Sequence, residues 1–369
     1  MTVTTLLWHC VTCLATAAPV SAAAPDSSAL PGSGISFTGL VHVHAEHATS
    51  TTPGTQAATR TLDGDLTRLE LGVEGPLGRH GDWAAGYELR ERQWQDVRIR
   101  LSTGEDERHQ FLLGQFKPFQ VLEELESTRE RAFIGKTVVA DTFALSRRIG
   151  AGYLHHGTNW HVSIGRFHGD LDRSVPASSG RLVRAVWVPW RGTRDVLHVG
   201  LSKAHLVSVS AWPMIDGDAI EAAASGTARS RTRLTGLEVV WLHRNMKLQM
   251  ECLRTGSHAT TPVDDLRGCS SSVTWNLDGQ PWGHAAGLAR TPDPRDPDRG
   301  RWQLGLRHAH LQQRDEEPGG TSRSEWAIAL NRDWGRHWKL ILQYQSAHER
   351  ADPVDLRERS IGLLLQLHW

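Results

Sequence analysis

Cysteine is almost missing from this chain. There are four in 369 residues, and Cys10 and Cys13 both fall within the first 24. A disulfide-dense scaffold is therefore excluded. The remaining pair, Cys252 and Cys269, can oxidise if the chain is exported. They flank an expected loop, but Cys252 shares its face with Leu248 and Met250, so their pairing stays open. Net charge is missing too: 41 basic side chains balance 41 acidic ones, and no bulk field draws nucleic acid. Beyond residue 24 no apolar run is long enough for a membrane helix. The 20 histidines lack HxxxH spacing, so groups such as His42, His44 and His47 read as polar strand positions rather than metal ligands. No Gly-x-Ser-x-Gly element or Ser/His/Asp grouping stands out. The expectation is no catalytic residue, no metal and no cofactor.

What the chain does have is alternation. After an uncharged, apolar leader ending in Ser21-Ala22-Ala23-Ala24, which reads as a signal peptide 1–22, and a short segment 23–34, period-two segments run to the end. They fall at 35–45, 66–75, 82–92, 95–102, 108–116, 147–156, 159–168, 181–189, 194–205, 232–243, 246–256, 269–278, 301–312, 323–332, 336–347 and 357–369. That is sixteen, each about the length a tilted strand needs to cross a bilayer. Val97, Ile99 and Leu101 alternate with Arg98 and Arg100; Leu340 and Leu342 alternate with Lys339 and Gln343. The final segment keeps the rule through Ile361, Leu363, Leu365, Leu367 and Trp369, with Leu364 as an exception.

The connections alternate between long and short. The longest is 117–146, and Gly157-Thr158 and Arg244-Asn245 are tight turns. Two break the rule: Gln93-Trp94 is short where a long loop is due, and 279–300 is long where a turn is due. Tryptophans 83, 94, 160, 190, 334, 338 and 369 sit near strand ends, as interfacial girdle residues do. The fold expected is all-β: a transmembrane antiparallel β-barrel of about sixteen strands over 35–369, in a Gram-negative outer membrane, with both termini in the periplasm. The apolar closing strand would pair with the first, meet lipid, and end on a signal for the barrel-assembly machinery.

Residues 112–153 add a resemblance. The run Gly114-Gln115-Phe116-Lys117-Pro118-Phe119, then Leu122-Glu123-Glu124-Leu125, Phe133, and Arg147-Arg148-Ile149-Gly150 resembles the phosphate-selective porin O/P family. "VWVPWRGTRDVLHVGLS" at 186–202 and the tail from Arg301 add echoes. The chain departs from the pattern at Gly135-Lys136 and has the single proline Pro118 in the motif. The resemblance implies a homotrimeric sixteen-stranded channel whose long third loop folds into the lumen, passing phosphate or similar small anions along a path of basic side chains. The matching candidates are Lys117, Arg129, Arg131, Lys136, Arg147 and Arg148. Arg98 and Arg100 join them on strand pattern alone. An arginine fork suits oxyanions because it keeps its charge and offers fixed donors. The alternative expectation is a low-conductance structural or ligand-binding barrel.

Overall fold

Every one of the sixteen alternating segments forms a strand. The computed structural model describes residues 34–369 except 53–57, 105–106, 174–177, 209–229, 258–264, 293, 295, 297–298, 315–320 and 352–353. The expected leader 1–22 lies outside the described residues. The strands are β1 (Ser36–Thr51), β2 (Ala58–Pro76), β3 (Gly81–Glu88), β4 (Gln93–Thr103), β5 (His109–Phe116), β6 (Arg148–His156), β7 (Trp160–His168), β8 (Ser178–Arg191) and β9 (Asp195–Ser208). They continue as β10 (Ser230–His243), β11 (Met246–Ser257), β12 (Asp265–Asn276), β13 (Gly283–Ala285), β14 (Leu288–Arg290), β15 (Arg301–Arg314), β16 (Ser322–Trp334), β17 (Trp338–Ala351) and β18 (Val354–His368). All but β13 and β14 close into one antiparallel barrel, in which β1 pairs with both β2 and β18. β13 and β14 form a separate hairpin.

The barrel inverts a soluble protein. In β16, Glu325, Ala327, Ala329 and Asn331 are buried, while Trp326, Ile328 and Leu330 are exposed. In β15, Arg301, Gln303 and Arg307 are buried between exposed Trp302, Leu304 and Leu306. An outer apolar face suits lipid, which offers backbone groups no hydrogen bonds and so demands a closed ladder. Seven exposed tryptophans, at 160, 190, 241, 275, 302, 338 and 369, stand within a few residues of the strand ends at the rim that holds the short connections, the 277–300 connection and the end of β18. They mark one rim as an interface.

Some boundaries differ from expectation. Gln93 and Trp94 belong to β4, not to a turn, because Trp94 pairs with Tyr87 and their rings meet edge-on at 5.1 Å. The turn is at residues 89–92, with Arg92 in the left-handed region at φ 57°. β1, β2, β9, β10, β12, β17 and β18 extend two to eight residues further at their long-connection ends than alternation indicates. In β2 residues 58–66 are all exposed, so no apolar face exists there to mark the strand. Cys252 and Cys269 are directly opposed on β11 and β12 and form a disulfide.

One small contact ends the twelve-pair ladder between β1 and β18. Gly39 and Trp369 exchange backbone N–H···O bonds of 3.2 Å in both directions. The Trp369 indole lies over Gly39, where a Cβ would come within 2.1 Å of Cζ2. Gly39→Val is expected to displace the indole, at about 1–3 kcal/mol of overpacking, and Trp369→Ser to remove it. Both should lower the heat-modifiable folded fraction on electrophoresis. Gly256→Val, where a Cβ meets open space, should assemble as wild type. Wild-type assembly of both closing-strand variants would show that this contact does not secure closure.

Candidate functional site

The motif at 114–119 launches the long connection between β5 and β6. Gly114 has φ +116°, and a Cβ there would lie 2.2 Å from the Val97 carbonyl oxygen, so only glycine fits. The Gln115 side chain is fully used: Nε2 donates to the carbonyls of Trp94 (2.7 Å) and Gln95 (3.0 Å), and Oε1 accepts from the Leu171 N–H (2.7 Å). Phe116 and Phe119 stack at 5.4 Å. The connection then carries two short helices, α1 (Leu122–Leu125) and α2 (Val138–Phe143). Thr137 caps α2 by accepting from the Ala140 N–H at 3.0 Å. Val139 and Phe143 of α2 are completely buried, in one apolar cluster with Leu206, Leu234, Leu253 and Leu311 of the strands.

Three of the expected basic residues converge on one carboxylate. Lys136 Nζ is 3.1 Å, Arg131 Nη2 3.9 Å and Lys117 Nζ 4.0 Å from Glu124. Burial acts to raise the Glu124 pKa, but Lys117, Lys136 and Arg131 outweigh it and hold the carboxyl below its ordinary value. Burial likewise opposes the charge on Lys136, yet Glu124 and Asp141 raise its pKa. For Lys117 burial dominates over Glu124 and brings the ammonium down to about 7. Its Nζ donates to the Glu124 carbonyl at 2.8 Å. Lys117 therefore ties the motif to α1 rather than standing open to an ion.

The other acids of the motif reach across to distant strands. Glu123 accepts from the Thr137 N–H and hydroxyl and pairs with Arg307 of β15 at 3.4 Å. Glu126 pairs with Lys247 of β11 at 2.8 Å. Buried side chains of β11 and β15–β18 also hold the backbone of the connection. Glu251 accepts from Leu122 N, Glu325 from Val138 N and Gln343 from Ile134 N, while Asn331 donates to Ala132 O and Lys339 to Arg131 O. Leu364, the exception to the alternation of β18, is buried in a cluster with Phe133 and partly buried Ile134.

Between connection and wall lies a cavity of about 30 Å³, room enough for water. Arg131, Lys247 and Arg307 line it against Glu123 and Glu126, with Ser270, Ser272 and Thr274 of β12 opposite. Nε of Arg131 and Nε of Arg307 are buried there without an acceptor among the described residues. Arg307 and Lys247 were not singled out in the sequence, where they are merely polar members of an alternating pattern. The signal that could have flagged them is their place on the polar face of a strand.

The remaining candidates lie elsewhere. Arg98 and Arg100 share Asp82 of β3, at 2.9 and 2.6 Å. Arg147 pairs with Asp96 at 2.6 Å. Arg148 is buried and donates to the Leu145 carbonyl at 2.7 Å. Arg129 reaches the Gly39 carbonyl at 3.4 Å and has no carboxylate partner among the described residues. His42 bonds Gln366 at 2.9 Å, and no group of three or more His, Cys, Asp or Glu is placed to hold a metal ion among the described residues.

The over-long 277–300 connection holds the β13–β14 hairpin. Arg184 of β8, essentially unexposed, forks onto Glu238 of β10 (2.6 and 3.1 Å) and donates to the Gly287 carbonyl at 2.8 Å. Trp282 and Ala289 join a cluster with Leu122, Val240 and Leu242. Thr291 N donates to Glu130 of the long connection at 3.2 Å, so the two connections touch.

A closed barrel with an apolar exterior and a charged, polar interior is an outer-membrane β-barrel. The chain belongs to the family of phosphate-selective porins O and P, which matches residues 49–367. An uncharacterised protein of Caulobacter vibrioides is 25% identical over 349 residues, 83% of this chain and 68% of that one. Among solved structures, OmpT of Vibrio cholerae superposes with a TM-score of 0.57 at 8% identity, over 91% of this chain and 97% of that one. The anion-selective porin from Comamonas acidovorans gives 0.57 at 9%, over 91% and 100%.

The Glu124 cluster makes a prediction. Glu124→Gln removes the carboxylate that three basic side chains share and leaves Arg131 without a carboxylate, at a cost on the order of 3 kcal/mol, and should expose the 117–147 connection of the intact barrel to trypsin. In the wild type the same loosening should come only in acid. The folded-state pKa of Glu124 lies below its unfolded value of about 4.3, so its contribution is present above that pH. It is lost as pH falls through the folded value. Equal resistance of variant and wild type at neutral pH would remove Glu124 as the organising charge.

Proposed function

We propose that this porin passes small anions, phosphate among them, without energy input. The 117–147 connection crosses the bore and narrows it against β11, β12 and β15. The carrying observation is the pair of buried, unpartnered Nε donors of Arg131 and Arg307 beside a hydroxyl-lined wall. Both are planar guanidinium groups, suited to oxyanions. The lining carries three cations against two carboxylates, a small surplus that attracts anions without the tight site that would halt conduction. Membership of a phosphate-selective family and the likeness to an anion-selective porin support the same reading. Arg129, Lys136, Arg147, Arg148, Arg98 and Arg100 then act on the approach or as supports of the path. Cleavage of segment 1–22, delivery by the barrel-assembly machinery and a homotrimer belong to this proposal; one similar OmpT structure is described as a trimer form.

A second reading, a barrel of low conductance serving as a structural or ligand-binding component, is favoured by one observation. Two segments, 117–147 and 277–300, both pack onto the buried faces of the strands.

Reversal potential under a salt gradient in a planar bilayer tests both readings. Arg131→Gln with Arg307→Gln turns the lining from a surplus of one cation to a deficit of one. The anion-to-cation permeability ratio is expected to fall several-fold, since ~1.4 kcal/mol is a tenfold change in partition. Lysine at both positions should keep the ratio and weaken discrimination among oxyanions. A conducting glutamine variant with unchanged reversal potential would move selectivity elsewhere, and absence of conductance in the wild type would favour the second reading.

A further inference from the structure

We propose that His109, Tyr153 and His155 form a binding site for a divalent late transition-metal ion, Cu(II) foremost, on the outer wall of the barrel at the short-connection rim. The sheet brings them together. Tyr153 and His155 are two apart on β6 and so share a face. His109 of β5 is the direct cross-strand partner of His155, as Phe111 is of Tyr153. Exposed Phe111, Leu113 and Ile149 identify that face as the outer one.

Three donor atoms converge. His109 Nδ1 is 2.8 Å from His155 Nδ1 and 2.8 Å from the Tyr153 hydroxyl oxygen, which is 3.2 Å from His155 Nδ1. Ligands at about 2.05 Å from an ion and at right angles to one another are about 2.9 Å apart; tetrahedral ones are about 3.3 Å apart. The triangle therefore matches one face of a tetragonal or octahedral shell, the geometry of Cu(II) and Ni(II) rather than of a structural zinc. Solvent on the open side completes the shell.

Without an ion the triangle is poorly satisfied. One Nδ1 must carry a proton for the other to accept, and the hydroxyl can donate to only one nitrogen. No arrangement of protons gives all three contacts a good hydrogen bond. A cation takes the three lone pairs at once, with each imidazole proton on Nε2 and the phenol proton released to solvent. The rings are held ready: His155 stacks on Trp160 at 4.8 Å and 16°, and Phe111 packs on Tyr153 at 5.0 Å. The absence of carboxylate from the triad disfavours Ca(II) and Mg(II), which need oxygen anions.

The test is titration of the untagged, refolded barrel in detergent with Cu(II), read by calorimetry and by electron paramagnetic resonance. One ion per chain is expected, with hyperfine structure from two nitrogens and a phenolate-to-copper absorption band. Tyr153→Phe should abolish the band and keep the two-nitrogen signal. His109→Phe and His155→Phe should each weaken binding at least tenfold, while His337→Ala, whose ring lies 6.4 Å from that of His368 at the end of β18, should not. Saturable binding that survives the His109→Phe/His155→Phe double variant, or no saturable binding by the wild type, would overturn the site. If the double variant does not fold, a wild-type spectrum lacking two nitrogen ligands overturns it equally.

Discussion

A strand edge left unpaired in lipid has no water to satisfy it, and each open backbone group there costs several kcal/mol. Closure between β1 and β18 is therefore the condition on which the rest of this molecule depends. It fixes an even count of antiparallel strands and gives every strand an outer and an inner face. It also dictates where charge can go. The outer face carries Trp326, Ile328 and Leu330, so Glu325 and Asn331 on the same strand must face inward. Burial of polar side chains such as Glu325 and Asn331 is tolerable because segments of the connections supply partners, Val138 N and Ala132 O.

Those segments do two physically different jobs. The half of the long connection around α2 is apolar and packs like a core, with Val139 and Phe143 against strand leucines. Each fully buried side chain of that kind contributes ~1.5–3 kcal/mol. The stretch from Glu123 to Arg131 is mostly ionic and polar, and it borders the water-sized cavity. Apolar packing sets the position of the ionic stretch to within the tolerance that guanidinium geometry needs. The hairpin at 283–290 braces the same connection from the other side through Glu130.

The fold was largely legible because lipid imposes period two on every strand. Legibility failed where lipid stops: residues 58–66 of β2 are exposed on both faces and carry no alternation. It failed again at Gln93-Trp94, where an aromatic pair with Tyr87 overrode a turn reading. Which face is inside could not be read from alternation, since a sandwich alternates identically. At the site, the motif revealed Arg131 and Lys136 as members of the long connection. It could not reveal that Lys117 is consumed by backbone carbonyls, or that Arg307 and Lys247 complete the lining from 110 or more residues away. Those pairings are products of barrel closure, and no local pattern encodes them. Leu364, an irregularity in sequence, is explained by Phe133 and Ile134 packing against it.

The division of acids within the motif has a consequence for how the chain comes together. Glu124 finds Lys117, Arg131 and Lys136 within a dozen residues of itself, so its charge is met without any partner from the barrel wall. Glu123 and Glu126 find Arg307 and Lys247, which only the closed barrel brings within reach. One carboxylate is thus met inside the connection itself, while two others have their cations only when β11 and β15 stand in place. A connection pulled off the wall would keep the first pairing and lose the other two, so one short segment carries both a local tie and a lock that depends on the closed wall.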